Sequence, residues 1–140
     1  MIEVNNLTNF TVDKSLFLGV AKKVLKEENR GRENLSIAFV SEAEIKELNK
    51  KYRKKDKATD VLAFELKEGF EGEVAQVVIC PAVVSEKAKE YGRSFEKEMV
   101  NVLIHGILHV LGYDHELSKE EEERMFKKQE DYLLKLEIRN

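Results

Sequence analysis

Short apolar runs alternate with longer stretches in which apolar residues return every three to four positions, and this succession sets the elements the chain is expected to form. Ile2 to Val4 is a short strand candidate. Asp13 is placed to cap a helix running to about Lys26, with Leu16, Phe17, Val20 and Val24 on its apolar side. Leu35 to Val40 (L-S-I-A-F-V) reads as a strand. Ser41 and Glu44 form a capping box, in which each side chain can satisfy a backbone N–H left open at a helix start. Ile45, Leu48 and Tyr52 then mark one face of a helix reaching about Tyr52. A polar segment, Arg53 to Thr59, leads to V-L-A-F-E-L (61–66), a third strand. The glycine-containing stretch 67–73 separates it from a fourth, V-A-Q-V-V-I-C (74–80), so a hairpin or a longer excursion is expected between them.

Pro81 suits the first turn of a helix that should end near Gly92. Ser94 opens the next one, apolar at Phe95, Met99, Val102, Leu103 and Ile107. It is almost wholly apolar from Val102 to Leu111 apart from its histidines, which predicts a buried central helix ended by Gly112. Ser118 and Glu121 form a second capping box, for a last helix with Met125, Gln129, Tyr132, Leu133 and Leu136 along one side. Interleaved strands and helices predict an α+β fold: a single domain over 1–140, with a mixed sheet of about four strands flanked by about five helices. The pattern leaves the strand order open.

The length of 140 residues and a hydrophobic fraction of 42% suffice for one sizeable core without a staple. Cys80 is the single cysteine, which excludes an internal disulfide and fits a reducing compartment. No run of 18 apolar residues is present, and the first residues lack a basic start followed by an apolar stretch. A cytoplasmic protein with no membrane partner is therefore expected. The net charge of −3 gives no overall pull toward nucleic acid, but its distribution is uneven. Residues 1–60 carry +3, whereas 61–100 and 101–140 carry −3 each. Much of the basic excess is one segment, where Lys50, Lys51, Arg53, Lys54, Lys55 and Lys57 fall within eight positions. Cations favour helix C-termini, and a solvated helix end accounts for most of these lysines. Arg53 differs, because it stands where helix gives way to loop and a guanidinium can grip a phosphate with two parallel hydrogen bonds. Beside a bound polyanion, Lys54, Lys55 and Lys57 would hold the flanking backbone.

All three histidines lie in H-G-I-L-H-V-L-G-Y-D-H, 105–115. His105 and His109 are four apart, which on a helix stacks both rings on one face, a turn apart. Gly112 permits a sharp turn, after which His115 can return to the same point from another direction. Three neutral imidazoles would leave one position open for water or substrate, the layout of a catalytic zinc site; nickel, copper and iron also accept imidazole. A core histidine satisfied by its neighbours is the ordinary alternative. Burying several imidazoles unpaired would cost about 1–3 kcal/mol each, which a metal removes. Asp114 could orient a ligand ring, cap the turn, or act as a base or fourth ligand. Cys80 and Met125 read as core, and the acidic run 120–123 as a complement to a helix dipole. The H-x3-H-x5-H spacing is metzincin-like, but Gly106 stands where those proteases carry their glutamate base, so peptidase activity is not expected.

On these residues the chain resembles the YbeY family of bacterial endoribonucleases and rRNA maturation factors, from about Leu35 to Leu136. The signature H-G-x-L-H-x-x-G-Y-D-H is complete at 105–115, and Y-R-x-K-D-K-x-T-D-V-L-x-F (52–64) and V-I-C (78–80) also look like the family. The resemblance implies one zinc-type ion on His105, His109 and His115, and a functional arginine at Arg53. It implies cleavage of single-stranded RNA, in maturation of the small-subunit rRNA 3′ end and in ribosome quality control. The implied partners are rRNA, the small ribosomal subunit and assembly proteins. The chain departs from the family pattern at Ala58, where proline is common, at Ala63, where serine is common, and at Ala75-Gln76, where Gly-Asp is usual. A reading of another class is an assembly factor that binds rRNA or ribosomal protein while its metal is mainly structural.

Overall fold

Alternation along four strands sorts their side chains onto the two faces of one sheet. The computed structural model describes residues 1–65, 74–113 and 118–136. In chain order the elements are β1 (Ile2–Asn6), α1 (Lys14–Glu27), β2 (Leu35–Phe39), α2 (Glu42–Arg53), β3 (Val61–Phe64), β4 (Ala75–Ile79), α3 (Pro81–Tyr91), α4 (Phe95–Val110) and α5 (Lys119–Leu136). The strand order is β1-β2-β4-β3. β1 pairs with β2 and β2 with β4 in parallel, whereas β3 and β4 are antiparallel with Ala63 opposite Val77. The sheet is therefore mixed, and four strands with five helices match the architecture expected from the pattern.

One face packs Ile37, Phe39, Val77 and Ile79 into one core with Phe17, Val20 and Val24 of α1 and Leu103 and Ile107 of α4, and Met125 and Leu133 of α5 join that core from the α4 side. The other face packs Val40, Leu62 and Val78 against Ile45 and Leu48 of α2. α4 is the central helix: Met99, Val100, Leu103, Ile104, Ile107 and Leu108 are at most 1% exposed. Its closeness to the sheet depends on Gly106, where a Cβ would stand 2.6 Å from Val77 Cγ1 and 3.3 Å from Val61 Cγ2. That contact draws the histidine-bearing helix down onto β3 and β4.

The expected starts and stops are present, the two capping boxes through their serine side chains. Asp13, Ser41, Ser94 and Ser118 each accept a hydrogen bond from the backbone N–H three residues on, at 3.1–3.2 Å. Gly112 follows α4 with φ +103°, a value that strains any side chain. β3 ends at Phe64, two residues short of the expected strand end, and β1 runs on to Asn6. The stretch 67–73 lies outside the described residues, but the strands on either side are antiparallel neighbours, as a hairpin requires. Among the described residues no helix is long and apolar enough to cross a membrane.

Candidate functional site

Helix spacing alone brings two of the three imidazoles together. The His105 and His109 rings lie on one face of α4 with centroids 4.8 Å apart and planes at 69°. Both residues are partly buried where the helix approaches its C-terminus. His105 Nδ1 lies 3.0 Å from Gln129 Oε1 on α5. Gln129 Nε2 donates to Asn101 Oδ1 at 2.8 Å, and Asn101 Nδ2 donates to Glu98 Oε1 at 3.3 Å. Gln129 and Glu98 are buried at 9% and 4% exposure, so neither amide nor carboxylate relies on bulk water. An imidazole held at one nitrogen by a protein oxygen, with a second imidazole a turn away, is a donor set that suits a zinc-type ion. His115 and Asp114 lie outside the described residues. Accordingly, no group of three metal-ligating side chains is found among the residues described.

Gly106 settles the comparison with the metzincin pattern in physical terms. Its missing side chain faces the sheet, against Val77 and Val61. A glutamate there would point into packed valines, so this position cannot present a base to the imidazoles.

The basic segment is held at the edge of the sheet. α2 ends with Lys54 in the left-handed region at φ 59°, and the Lys54 and Lys55 N–H groups close the helix end onto Lys50 and Asn49 carbonyls. The buried Asn49 amide donates to the Lys57 carbonyl at 2.9 Å, which pins the lysine loop. Its far end is fixed by Asp60, whose carboxylate meets Lys87 at 2.8 Å and whose carbonyl accepts the Cys80 N–H. Arg53 donates to the Ala63 carbonyl at 2.7 Å and, weakly, to the Tyr52 carbonyl at 3.4 Å, with its guanidinium 5.0 Å from the Phe64 ring centre. Two of the five donors of a guanidinium are thus engaged. Lys54, Lys55 and Lys57 are exposed. This segment and the imidazoles stand on different elements, α2 with its loop and α4. The two meet through β3: Arg53 grips the backbone of Ala63, and Val61, two residues earlier, lies under Gly106 beside His105.

The approach to the third histidine is anchored by Glu28, just past α1. Its carboxylate, 7% exposed, accepts from Lys128 Nζ at 2.7 Å, from Tyr113 Oη at 2.8 Å, and from the Tyr132 hydroxyl. Burial alone would raise its pKa, but the hydrogen bonds from Lys128, Tyr132 and Tyr113 outweigh it and hold the carboxyl below its ordinary value. The same node raises Lys128, chiefly through the bond to Glu28, and raises Tyr132, chiefly through burial. Cys80 is fully buried, and burial pushes its thiol up, in keeping with a core residue. Met125 is likewise core.

Residues 3–137 match the family model described as Endoribonuclease YbeY. The chain belongs to the YbeY family. Among relatives bearing the name Endoribonuclease YbeY, that of Thermotoga neapolitana is 47% identical over 111 residues, covering 79% of this chain and 72% of its own. That of Staphylococcus carnosus is 42% identical over 135 residues, covering 91% and 85%. The solution structure of TM1509 from Thermotoga maritima superposes with a TM-score of 0.64 at 38% identity, over 97% of this chain and 89% of that one. The YbeY resemblance read from the histidine signature is therefore correct, and it extends across nearly the whole chain rather than from Leu35 onward.

Sequence reading placed Gln129 on the inner side of the last helix without seeing what it meets, and passed over Glu98, Asn101 and Glu28. A signal was present for Glu98 and Gln129, each polar among the buried residues of its helix, and Asn101 lies on the same face of α4 as Glu98. Glu28 carried none, because its tyrosine partners are 85 and 104 residues away.

Proposed function

We propose that the protein is a metal-dependent endoribonuclease that cuts single-stranded RNA, acting in the cytoplasm on rRNA at the small-subunit 3′ end and in ribosome quality control. The observation that carries this reading is the His105–His109 pair, one turn apart, with His105 tied at Nδ1 to Gln129. His105, His109 and His115 would hold one zinc ion, or nickel or another divalent transition metal in its place. Such an ion supplies Lewis-acid polarisation of a phosphoryl oxygen and acidifies water. The rest is done by the chain. Arg53, docked on the edge of β3 with donors to spare, neutralises charge developing on the phosphate. Lys54, Lys55 and Lys57 hold the flanking backbone, so binding weakens with salt. Asp114 would orient a ligand ring, cap the turn, or act as a base or fourth ligand. Small-subunit rRNA and its assembly proteins are the partners this reading supports.

Cleavage of one RNA sequence, single-stranded and duplexed, tests it. Cutting is expected for the single strand alone, lost on chelation and in His109→Ala, and reduced at least tenfold in Arg53→Glu. Equal activity in Arg53→Glu removes Arg53 from the mechanism. One observation favours a second reading: the bond from His105 to Gln129 ties α4 to α5, so an ion that fixed the His105 ring would also steady that contact. Under that reading the protein is an assembly factor with a structural metal, and wild type binds RNA without cutting it while chelation lowers its melting temperature.

A further inference from the structure

We propose that Glu98, Asn101 and Gln129 form a directional hydrogen-bond relay that holds His105 as the Nδ1–H tautomer, leaving its Nε2 lone pair as the metal donor. The direction follows from one end. Glu98 is ion-paired with Arg93 at 3.4 Å, and Arg93 is itself held by Glu130 at 3.5 Å. An ionised carboxylate can only accept, so the Asn101 atom facing it must be the amide NH2. The Asn101 oxygen then faces Gln129 and must be met by the Gln129 NH2. That turns the Gln129 oxygen to His105 Nδ1, where it can only accept, so Nδ1 carries the hydrogen. Each orientation is forced by the one before it, and the result does not depend on how either amide is drawn.

The layout is economical in sequence. Residues 98, 101 and 105 lie on one face of α4, and 109 follows a turn later. α5 contributes only Gln129, the polar position in its buried stripe of Met125, Tyr132 and Leu133. An amide pair serving packing alone could point either way; only a carboxylate at one end gives it a direction. A free histidine side chain favours the opposite, Nε2–H form, which cannot donate Nε2 to a metal. Glu98, Asn101 and Gln129 are thus positioning residues, acting on the ion through His105. Supporting partners of this kind typically contribute tenfold to hundredfold in metal affinity.

This inference rests on the metal reading above, and the experiment separates the two. The full-length, metal-free protein carrying 15N-labelled histidine is examined by NMR at pH 8, and its Zn2+ affinity is measured by competition with a chromophoric chelator. In wild type the His105 nitrogens should report Nδ1–H. Gln129→Met, which keeps the volume and cuts the relay, should bring back the Nε2–H form and weaken Zn2+ binding tenfold to hundredfold. Gln129→Glu gives up the bond to Asn101 but keeps an acceptor facing Nδ1, so it should hold the Nδ1–H form that Gln129→Met loses; a purely structural role would not make the tautomer follow the acceptor. Wild-type His105 in the Nε2–H form overturns the relay, and this needs no variant to fold. So does Zn2+ affinity unchanged in Gln129→Met when His109→Ala abolishes binding. Wild type that binds no Zn2+ at all defeats the metal reading and the relay with it.

Discussion

Replacing Glu28 with glutamine should cost the fold about 2 kcal/mol, although the side chain touches neither imidazole. Glutamine keeps the shape and one acceptor oxygen but removes the charge. Hydrogen bonds to a charged group contribute about 1.5–3 kcal/mol each and neutral ones about 0.5–1.5, so each bond loses about 1 kcal/mol. The two tyrosine bonds count in full, because the Glu28 side chain is only 7% exposed and Tyr132 only 5%. The Lys128 bond counts for less, since that side chain is 38% exposed and water replaces part of what is lost. Urea unfolding should show a midpoint lower by roughly 1 M with an unchanged slope, given slopes of about 1–3 kcal/mol/M. The pH dependence has a definite sign. The Glu28 pKa is depressed in the fold, so its stabilisation is present above the ordinary carboxylate pKa and disappears as pH falls through the lowered one. The Lys128 pKa is raised, so its share is present below the ordinary lysine pKa and fades as pH rises through the raised one. The gap between wild type and Glu28→Gln should therefore be flat through neutrality, close in acid and narrow in alkali. A neutral-pH difference under about 0.5 kcal/mol, the scale of an ordinary surface substitution, would refute the reasoning.

Three further outcomes follow from single contacts. Gly106→Ala gains about 1 kcal/mol of helix propensity but pushes a methyl to 2.6 Å from the fully buried Val77, and overpacking of that kind costs about 1–3 kcal/mol. A net loss is expected in thermal melts, and Val77→Ala should cost less in that background than in wild type. Lys54→Gly relieves a left-handed lysine and should stabilise by roughly 0.5–1 kcal/mol. The same change should lower the slope of log K against log salt for single-stranded RNA by about 0.7, the signature of one lost phosphate contact. Cys80 should not react with a thiol reagent in the native protein and should react on unfolding, because its side chain is fully buried.

What was legible in the sequence was local. Serine and aspartate caps, the glycine after α4 and the apolar stripes each depend on neighbours within a few residues, and each was found where the pattern put it. His105 and His109 were legible for the same reason, since helix geometry alone brings them within a turn. Strand order was not, because the parallel pairing of β1, β2 and β4 joins segments with a helix or more between them. The docking of Arg53 on Ala63 also needed the fold, as it depends on how α2 leaves the sheet edge. Lys54 in the left-handed region could not be anticipated, since glycine is the usual signal and lysine carries none. Gln129 was visible as a polar residue on an apolar side, but its partner is on another helix 24 residues earlier.

The central claim is that three imidazoles share one ion. Elemental analysis of the purified protein, repeated on His105→Ala, His109→Ala and His115→Ala after equilibration with Zn2+, tests it directly. Close to one transition-metal ion per chain is expected in wild type, with loss in every one of the three variants. Wild type that retains no metal after equilibration, or variants that hold it as well as wild type does, would contradict the claim.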